Sequence, residues 1–480
     1  MKSLIITLIP CFVFLFGFHS FAQTTSPYGF TKIGEIRPRN ADEIEASNWL
    51  LGCETMDRDF ADYDTYKEYL NPLGIKRLRL QGRWAKTEKV KGQYNWEWLD
   101  HIVNDVTSRG LEPWIQFSYG NEIYEGGGGI NLAAGVPHSE DVLAAWDRWV
   151  AAMVIRYKDK VINWEIWNEP NFGDNLENTV GIAAASNIRT IKIVKRIQPD
   201  AKASGLALGH IDLEYAGIFF KVVHESGMLG VMDNITYNNY IYSHYSNYPK
   251  VMEMKKILEQ YSTKITLRQG ENGDPSFGGT GRGAIGDHDW TELSQAKLDT
   301  RRMLGDLGHG IESSVFSIID MAYNSGPIKR LNVKGLLMSD STKKVIRPKM
   351  AYYAVQNITA VFDNSLELVI DAKDSLNSKY ISEDAVKVVF NHSPDRNFAA
   401  YGYKHRQTGQ QVFTIWENKS VPNNSTEKRL STLTFGNAKF DKPVYVDMIT
   451  GEVFDIPATN GLKKASSLSS VTYLSMMGLF

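Results

Sequence analysis

Between about residues 48 and 320 the chain alternates short apolar runs with longer amphipathic stretches, and this rhythm limits its possible folds more than any other feature. The runs Trp49–Cys53, Ile75–Gln81, Leu111–Ser118, Val161–Asn168, Ala203–Leu208, Asn234–Tyr240, Lys264–Gly270 and Ser313–Ile319 have the length of strands. Between them lie Ala61–Leu70, Trp96–Ser108, Val142–Tyr157, Ser186–Ile197, Leu213–Ser226, Tyr248–Tyr261 and Trp290–Leu307, where apolar residues return every three or four positions as on a helix face. Glycines suited to ending a helix precede several strands, among them Gly74 and Gly110. Eight strands separated by helices predict an α/β protein built as a (β/α)8 TIM barrel. A doubly wound open sheet is the rival, weakened because no G-x-G-x-x-G follows the first strand. The Gly126–Gly129 run lacks the Gly-Lys-Ser/Thr ending of a phosphate loop and reads as an ordinary loop after the third strand.

Beyond Asp363 the pattern changes to short strand-like segments: Ala385–Phe390, Gln411–Trp416, Leu430–Phe435, Pro443–Asp447 and Val453–Ile456, with Asp447–Gly451 as a hairpin turn. The expected organisation is a catalytic barrel over 48–362 and a small all-β sandwich over 363–480, to which the N-terminal segment 23–47 could add a strand. At the start, Lys2, the apolar run Leu4–Phe18 and Ser20-Phe21-Ala22 form a secretory signal peptide over 1–22. That run is too short for the roughly 20 residues a membrane span needs, and no later segment is long and apolar enough. Cleavage after Ala22 predicts an exported chain in which Cys53 is the sole cysteine, so its stability must come from a large core. Composition allows this: 43% of the 480 residues are hydrophobic. Lys and Arg number 53 against 55 Asp and Glu, which supplies no general attraction for nucleic acid or an anionic membrane. Ten scattered histidines show no metal-ligand spacing, so neither a metal nor another cofactor is expected.

In a (β/α)8 protein chemistry sits at the C-terminal ends of the strands. The fourth strand closes with Asn168-Glu169-Pro170-Asn171, where Pro170 is expected to stop the strand and fix the loop beyond Glu169. Trp167 beside Glu169 would desolvate its carboxyl and raise its pKa, as suits a general acid. Glu165 lies earlier in the same strand and reads as a hydrogen-bonded barrel residue. The seventh strand ends at Gly270-Glu271-Asn272-Gly273, whose glycines would let the backbone turn sharply and place Glu271 at the mouth. Arg79 on the second strand would hold Glu271 ionised, and the Tyr240 hydroxyl would donate to it. Two carboxyls separated by role in this way are the means of cleaving a glycosidic bond.

The segment Trp164–Asn171 resembles the acid/base motif of glycoside hydrolase clan A, the retaining (β/α)8 glycosidases. Arg79-Leu80-Gln81-Gly82, Tyr94–Asp100 and Arg156-Tyr157 are similar to the pattern of family 39 within it. The resemblance covers most of residues 48–320. It implies Glu169 as acid/base, Glu271 as nucleophile, Asn168 as holder of the sugar 2-hydroxyl, Arg79 as the supporting cation and Tyr240 as the sixth-strand tyrosine. Three departures fall around the sugar site: Asn238 stands where the family commonly has His, Gln81 also replaces a His, and Gly270-Glu271-Asn272 replaces Thr-Glu-Trp. The family's sugar preference is therefore not carried over. Trp84, Trp114 and Tyr119 sit near strand ends, where rings can stack on sugar faces. Glu54, Asp57, Arg58 and Asp59 could bind hydroxyls, and Arg83, Arg268, Arg282 and His288 could bind an acidic group. The resulting expectation is a retaining glycosidase acting on an oligo- or polysaccharide. A non-catalytic glycan-binding protein and a transglycosylase are the alternatives.

Overall fold

A computed structural model describes residues 30–54, 56–131, 135–172, 178–279, 284–323, 330–370, 387–391, 398–418, 421–426, 432–436, 443–456 and 469–472. Eight parallel strands close into a barrel: β1 (Trp49–Gly52), β2 (Arg77–Gln81), β3 (Glu112–Phe117), β4 (Asn163–Ile166), β5 (Lys202–Leu208), β6 (Asn234–Asn238), β7 (Thr266–Asn272) and β8 (Glu312–Val315). Each pairs with the next in sequence, and β8 closes the ring on β1 through Leu50 opposite Ser314. The helices that follow the strands are α1 (Tyr63–Tyr66), α2 (Glu97–Ser108), α3 (Glu140–Tyr157), α4 (Val180–Ile197), α5 (Leu213–Glu225), α6 (Tyr248–Glu259), α7 (Glu292–Gly308) and α8 (Met350–Val361). The predicted first helix is cut to one α-turn followed by two 3-10 turns, because Pro72 cannot continue a helix and Gly74 ends the segment at φ +77°.

Strand alternation decides what fills the barrel. In β2, Leu78 and Leu80 join the main hydrophobic cluster under the helices, while Arg77, Arg79 and Gln81 occupy the opposite, interior face. The bore is therefore polar and ion-paired instead of packed with branched aliphatics. On its floor Arg77 meets Glu312 at 2.9 Å and Arg268 meets the same carboxylate at 2.7 Å. Trp114 lies above, its ring 4.7 Å from the Arg268 guanidinium and 5.3 Å from that of Arg79. The indole thus gains cation–π attraction from both.

The chain beyond the barrel forms antiparallel strands. Leu366–Ile370, Phe398–His405 and Gln411–Glu417 make one sheet, and Lys387–Asn391, Thr432–Gly436 and Ser469–Thr472 a second. In a third, Thr31–Glu35 pairs with Glu452–Asp455, which also pairs with Val444–Val446 across the Asp447–Gly451 turn. Phe30, Tyr445, Phe454 and Ile456 form the small core of that sheet. Contact with the barrel is direct: Lys297 on α7 donates to the Ser425 carbonyl at 2.6 Å, and Asn357 on α8 to that of Met448 at 3.0 Å. Residues 1–22 lie outside the described residues; no described helix is long and apolar enough to cross a membrane.

Candidate active site

The end of β4 is shaped by two residues in the left-handed region, Trp167 at φ +63° and Glu169 at φ +49°. Such backbone is costly for side-chain-bearing residues and persists only where neighbours enforce it. Here the Trp167 N–H bonds to the Phe117 carbonyl of β3 and the Glu169 N–H to Ala207 of β5, at 3.1 and 2.7 Å. The regular strand therefore stops at Ile166, earlier than expected, and the stop is made by Trp167 before Pro170 is reached. At β7 the glycines serve close approach: neither Gly270 nor Gly273 has a positive φ. A Cβ on Gly273 would fall 1.7 Å from the Phe316 carbonyl oxygen, so the end of the strand bearing Glu271 fits against the end of β8 only with glycine just beyond it.

Glu169 and Glu271 meet through one side chain. The Asn238 amide nitrogen donates to Glu169 Oε1 at 2.9 Å and to Glu271 Oε2 at 3.1 Å. Arg79 fans out beneath: Nε to Glu165 at 2.7 Å, Nη1 to Glu54 at 3.0 Å and to Glu271 at 3.4 Å, Nη2 to the Asn168 oxygen at 3.0 Å. Arg79 was expected to serve Glu271; instead three carboxylates share it, and Glu271 has the longest contact. Burial therefore dominates the titration. It raises Glu169, against the Asn238 hydrogen bond and the charges of Arg79 and Arg58. It raises Glu271 well above the usual range, with the Glu169 charge adding to it and Arg79 opposing. Burial likewise lifts Glu54 to about 7 despite Arg79. The two facing carboxyls behave as one acid pair.

Asn168 is anchored on both sides of its amide. Its oxygen accepts from Arg79 and from Gln116 at 3.2 Å, and its nitrogen donates to the Tyr119 hydroxyl at 3.0 Å, leaving one N–H for another partner. Tyr240 packs edge-on against Phe316, with Lys334 Nζ 5.1 Å from its ring centroid. Burial and the charges of Glu271 and Glu169 hold its hydroxyl well above the usual phenol range, so it remains a donor.

The aromatic expectations need correction. Trp84 is fully buried against Tyr124, Trp146 and Trp149, a cluster between the β2 loop and α3, and no ligand can stack on it. Trp114 is fully buried in the bore, its ring within cation–π reach of Arg79 and Arg268. The Tyr119 ring is also buried, with the Arg58 guanidinium 5.2 Å from its centroid, and its hydroxyl enters the polar network with Asn168 and Gln81. Among the cations, Arg268 belongs to the barrel floor, and Arg83 holds the Ile130 carbonyl at 2.8 Å. His288 packs on Trp290 near Tyr242. Arg282 lies outside the described residues, as does the Asp57 side chain. Sequence reasoning missed Gln116 and Thr236, whose side chains reach Glu165 at 3.1 and 2.6 Å from β3 and β6. Polar residues at interior positions of otherwise apolar strands were the available signal. Among the described residues no cluster of His, Cys, Asp and Glu is arranged to hold a metal ion.

No family model matches the chain. A 6-phospho-beta-glucosidase from Clostridium longisporum is 23% identical over 233 residues, 40% of this chain and 48% of that protein. The chain thus spans about half the length of the curated relative it matches. Two solved structures share its architecture. One is a family 39 glycoside hydrolase from the gut symbiont Bacteroides cellulosilyticus WH2, with a TM-score of 0.61, 18% identity, and coverage of 91% of this chain and 81% of that one. The other is a family 39 beta-xylosidase from Caulobacter crescentus, with a TM-score of 0.52, 17% identity, and coverage of 77% and 79%. At these identities the likeness is one of fold. Fold and site together define a (β/α)8 protein with a buried carboxyl pair at the C-terminal mouth of its barrel.

Proposed function

We propose that this protein is an exported retaining glycoside hydrolase, with Glu271 as nucleophile and Glu169 as acid/base. The observation that carries the reading is the bridging amide of Asn238. Two oxygens at 2.9 and 3.1 Å from one nitrogen can be no more than about 6 Å apart, short of the roughly 6.5–9.5 Å that an inverting pair needs. That spacing suits direct attack by one carboxylate and leaves little room for the water an inverting enzyme needs. Glu271 faces the Arg79 cation, whereas Glu169 forms no salt bridge among the described residues. The mechanism needs the pair's shared proton on Glu169; the ion pair of Glu271 with Arg79 favours that placement, against burial, which raises Glu271 the more strongly.

In the first step a Glu271 oxygen attacks the anomeric carbon while the bond to the leaving oxygen breaks, and Glu169 gives that oxygen its proton. In the second, water attacks the glycosyl ester, yields a proton to Glu169 and restores the Glu271 carboxylate. The spare Asn168 N–H would hold the 2-hydroxyl, and Tyr240 would donate to Glu271 as negative charge returns to it. The substrate class is an oligo- or polysaccharide. Export rests on the first 22 residues, and the N-terminal sequence of protein recovered outside the cytoplasm tests it. Glu169→Gln and Glu271→Gln should each remove nearly all glycosidase activity. A 2-deoxy-2-fluoro glycosyl donor should add its mass to the peptide containing Glu271. Full activity in either variant defeats the assignment.

A further inference from the structure

We infer that Phe172 and His210 form the platform for the sugar on the leaving-group side of the bond, so that the substrate continues as a pyranose ring beyond Glu169. This rests on the glycosidase reading above. Phe172 follows Glu169 by three residues and is 49% exposed, although it belongs to a tightly held segment. Its N–H bonds to the Glu169 carbonyl at 3.1 Å, closing a turn. The Asn171 side chain then pins that turn to the end of β5, accepting from the Gly209 N–H at 2.8 Å and donating to the His210 carbonyl at 3.0 Å.

Gly209 shows how close the ring is to the acid. A Cβ there would lie 3.0 Å from Glu169 Cβ and 3.1 Å from Phe172 Cδ2, so the Glu169 stem and the Phe172 ring rest side by side on one backbone atom. His210 is exposed and stands edge-on to Phe172, with ring centroids 6.5 Å apart. An acid must reach the leaving oxygen at about hydrogen-bond distance, so the next ring begins one bond beyond that oxygen, close to the Glu169 carboxyl. What it meets there is the exposed phenyl face of Phe172, bordered by an imidazole. A pyranose presents the complement: a C–H face for the phenyl ring and rim hydroxyls for the imidazole nitrogens. A single exposed aromatic is unremarkable on a protein surface; one whose backbone is hydrogen-bonded to Glu169 and whose ring shares Gly209 with the acid's stem is a built feature.

The test compares substrates with and without a leaving-group sugar. Wild type, Phe172→Ala and His210→Ala are assayed on both anomers of the fluorides of xylose, glucose, galactose and glucuronic acid, and on disaccharides of whichever sugar turns over. Fluoride occupies no leaving-group subsite, so kcat/KM for the fluoride should be unchanged in both variants. For the disaccharide it should fall about tenfold in Phe172→Ala, the loss of one stacking partner. Reactivation of the 2-fluoroglycosyl-enzyme by a free sugar acceptor should weaken likewise, while reactivation by water should not. Equal losses on fluoride and disaccharide, or no loss on either, overturn the platform. If the wild type turns over no fluoride or disaccharide, the glycosidase reading fails, and the platform with it.

Discussion

Replacing Asn238 by alanine removes both hydrogen bonds that join the carboxyl pair, at 2.9 Å to Glu169 and 3.1 Å to Glu271. An N–H donor favours the ionised form of a carboxyl, so its loss makes each proton harder to remove. A hydrogen bond to a charged group is worth about 1.5–3 kcal/mol, and one pH unit corresponds to about 1.4 kcal/mol. At the lower figure, each limb of the profile of kcat/KM against pH should move up by about one unit. The acid limb, where the pair loses its first proton, and the alkaline limb, where it loses its second, therefore travel together. The bell shifts to higher pH without narrowing, and its peak falls by about tenfold or more as transition-state contacts are lost. The measurement is the pH profile of the variant beside the wild type on one aryl glycoside or glycosyl fluoride, at substrate far below KM. A lowered but unmoved bell would make Asn238 a packing residue. A shift to lower pH would reverse the sign of the argument and refute it.

Glu54→Gln should move the acid limb the other way, to lower pH, because one of the negative charges competing for Arg79 beside Glu271 is gone. Gly273→Ala cannot be accommodated without moving backbone, since the new Cβ would meet the Phe316 carbonyl at 1.7 Å; its urea midpoint should drop sharply, and an unchanged midpoint would contradict the close-approach argument. Burial raises Asp306 from 3.8 to about 7 in the folded protein, so between those values the folded form keeps a proton that the unfolded chain has released. Stability is then lost as pH rises through that window, by at most about 4 kcal/mol. Asp306→Asn should flatten this dependence and gain on the wild type at pH 8 relative to pH 5, read as Tm at the two pH values.

The barrel was legible because its strands are apolar on the face beneath the helices and its glycines mark where helices end. Glu169 and Glu271 were legible because strand ends are where such a fold exposes side chains. What could not be read was direction and sharing. Trp84 lies just past a strand end, as Tyr119 does, and Trp114 within a strand, yet one points into the α3 aromatic cluster and the other into the bore. Only the closed ring of strands decides which. Arg79 is separated from Glu54 by 25 residues, from Glu165 by 86 and from Glu271 by 192, so no local pattern announces that one cation serves them all. Phe172 was passed over because nothing in the chain shows that Gly209, just past the end of another strand, will seat it beside Glu169.

The strand Thr31–Glu35 has a consequence for the order of folding. Its partner lies near the far end of the chain, and Lys32 bonds to Glu452 across a separation of 420 residues. At ribosomal rates of about 5–20 residues per second, that partner is made roughly 20–80 s later. During this interval the strand is an unpaired edge, the kind of surface on which chains aggregate. Its sequence, Thr-Lys-Ile-Gly-Glu, counters this with two charges and a glycine in five residues. A change such as Lys32→Val would leave the finished sheet hydrogen-bonded while removing a charge that keeps the waiting strand soluble. Its damage should therefore show in the yield of newly made protein at 37 °C and much less in the melting temperature of molecules that have already folded.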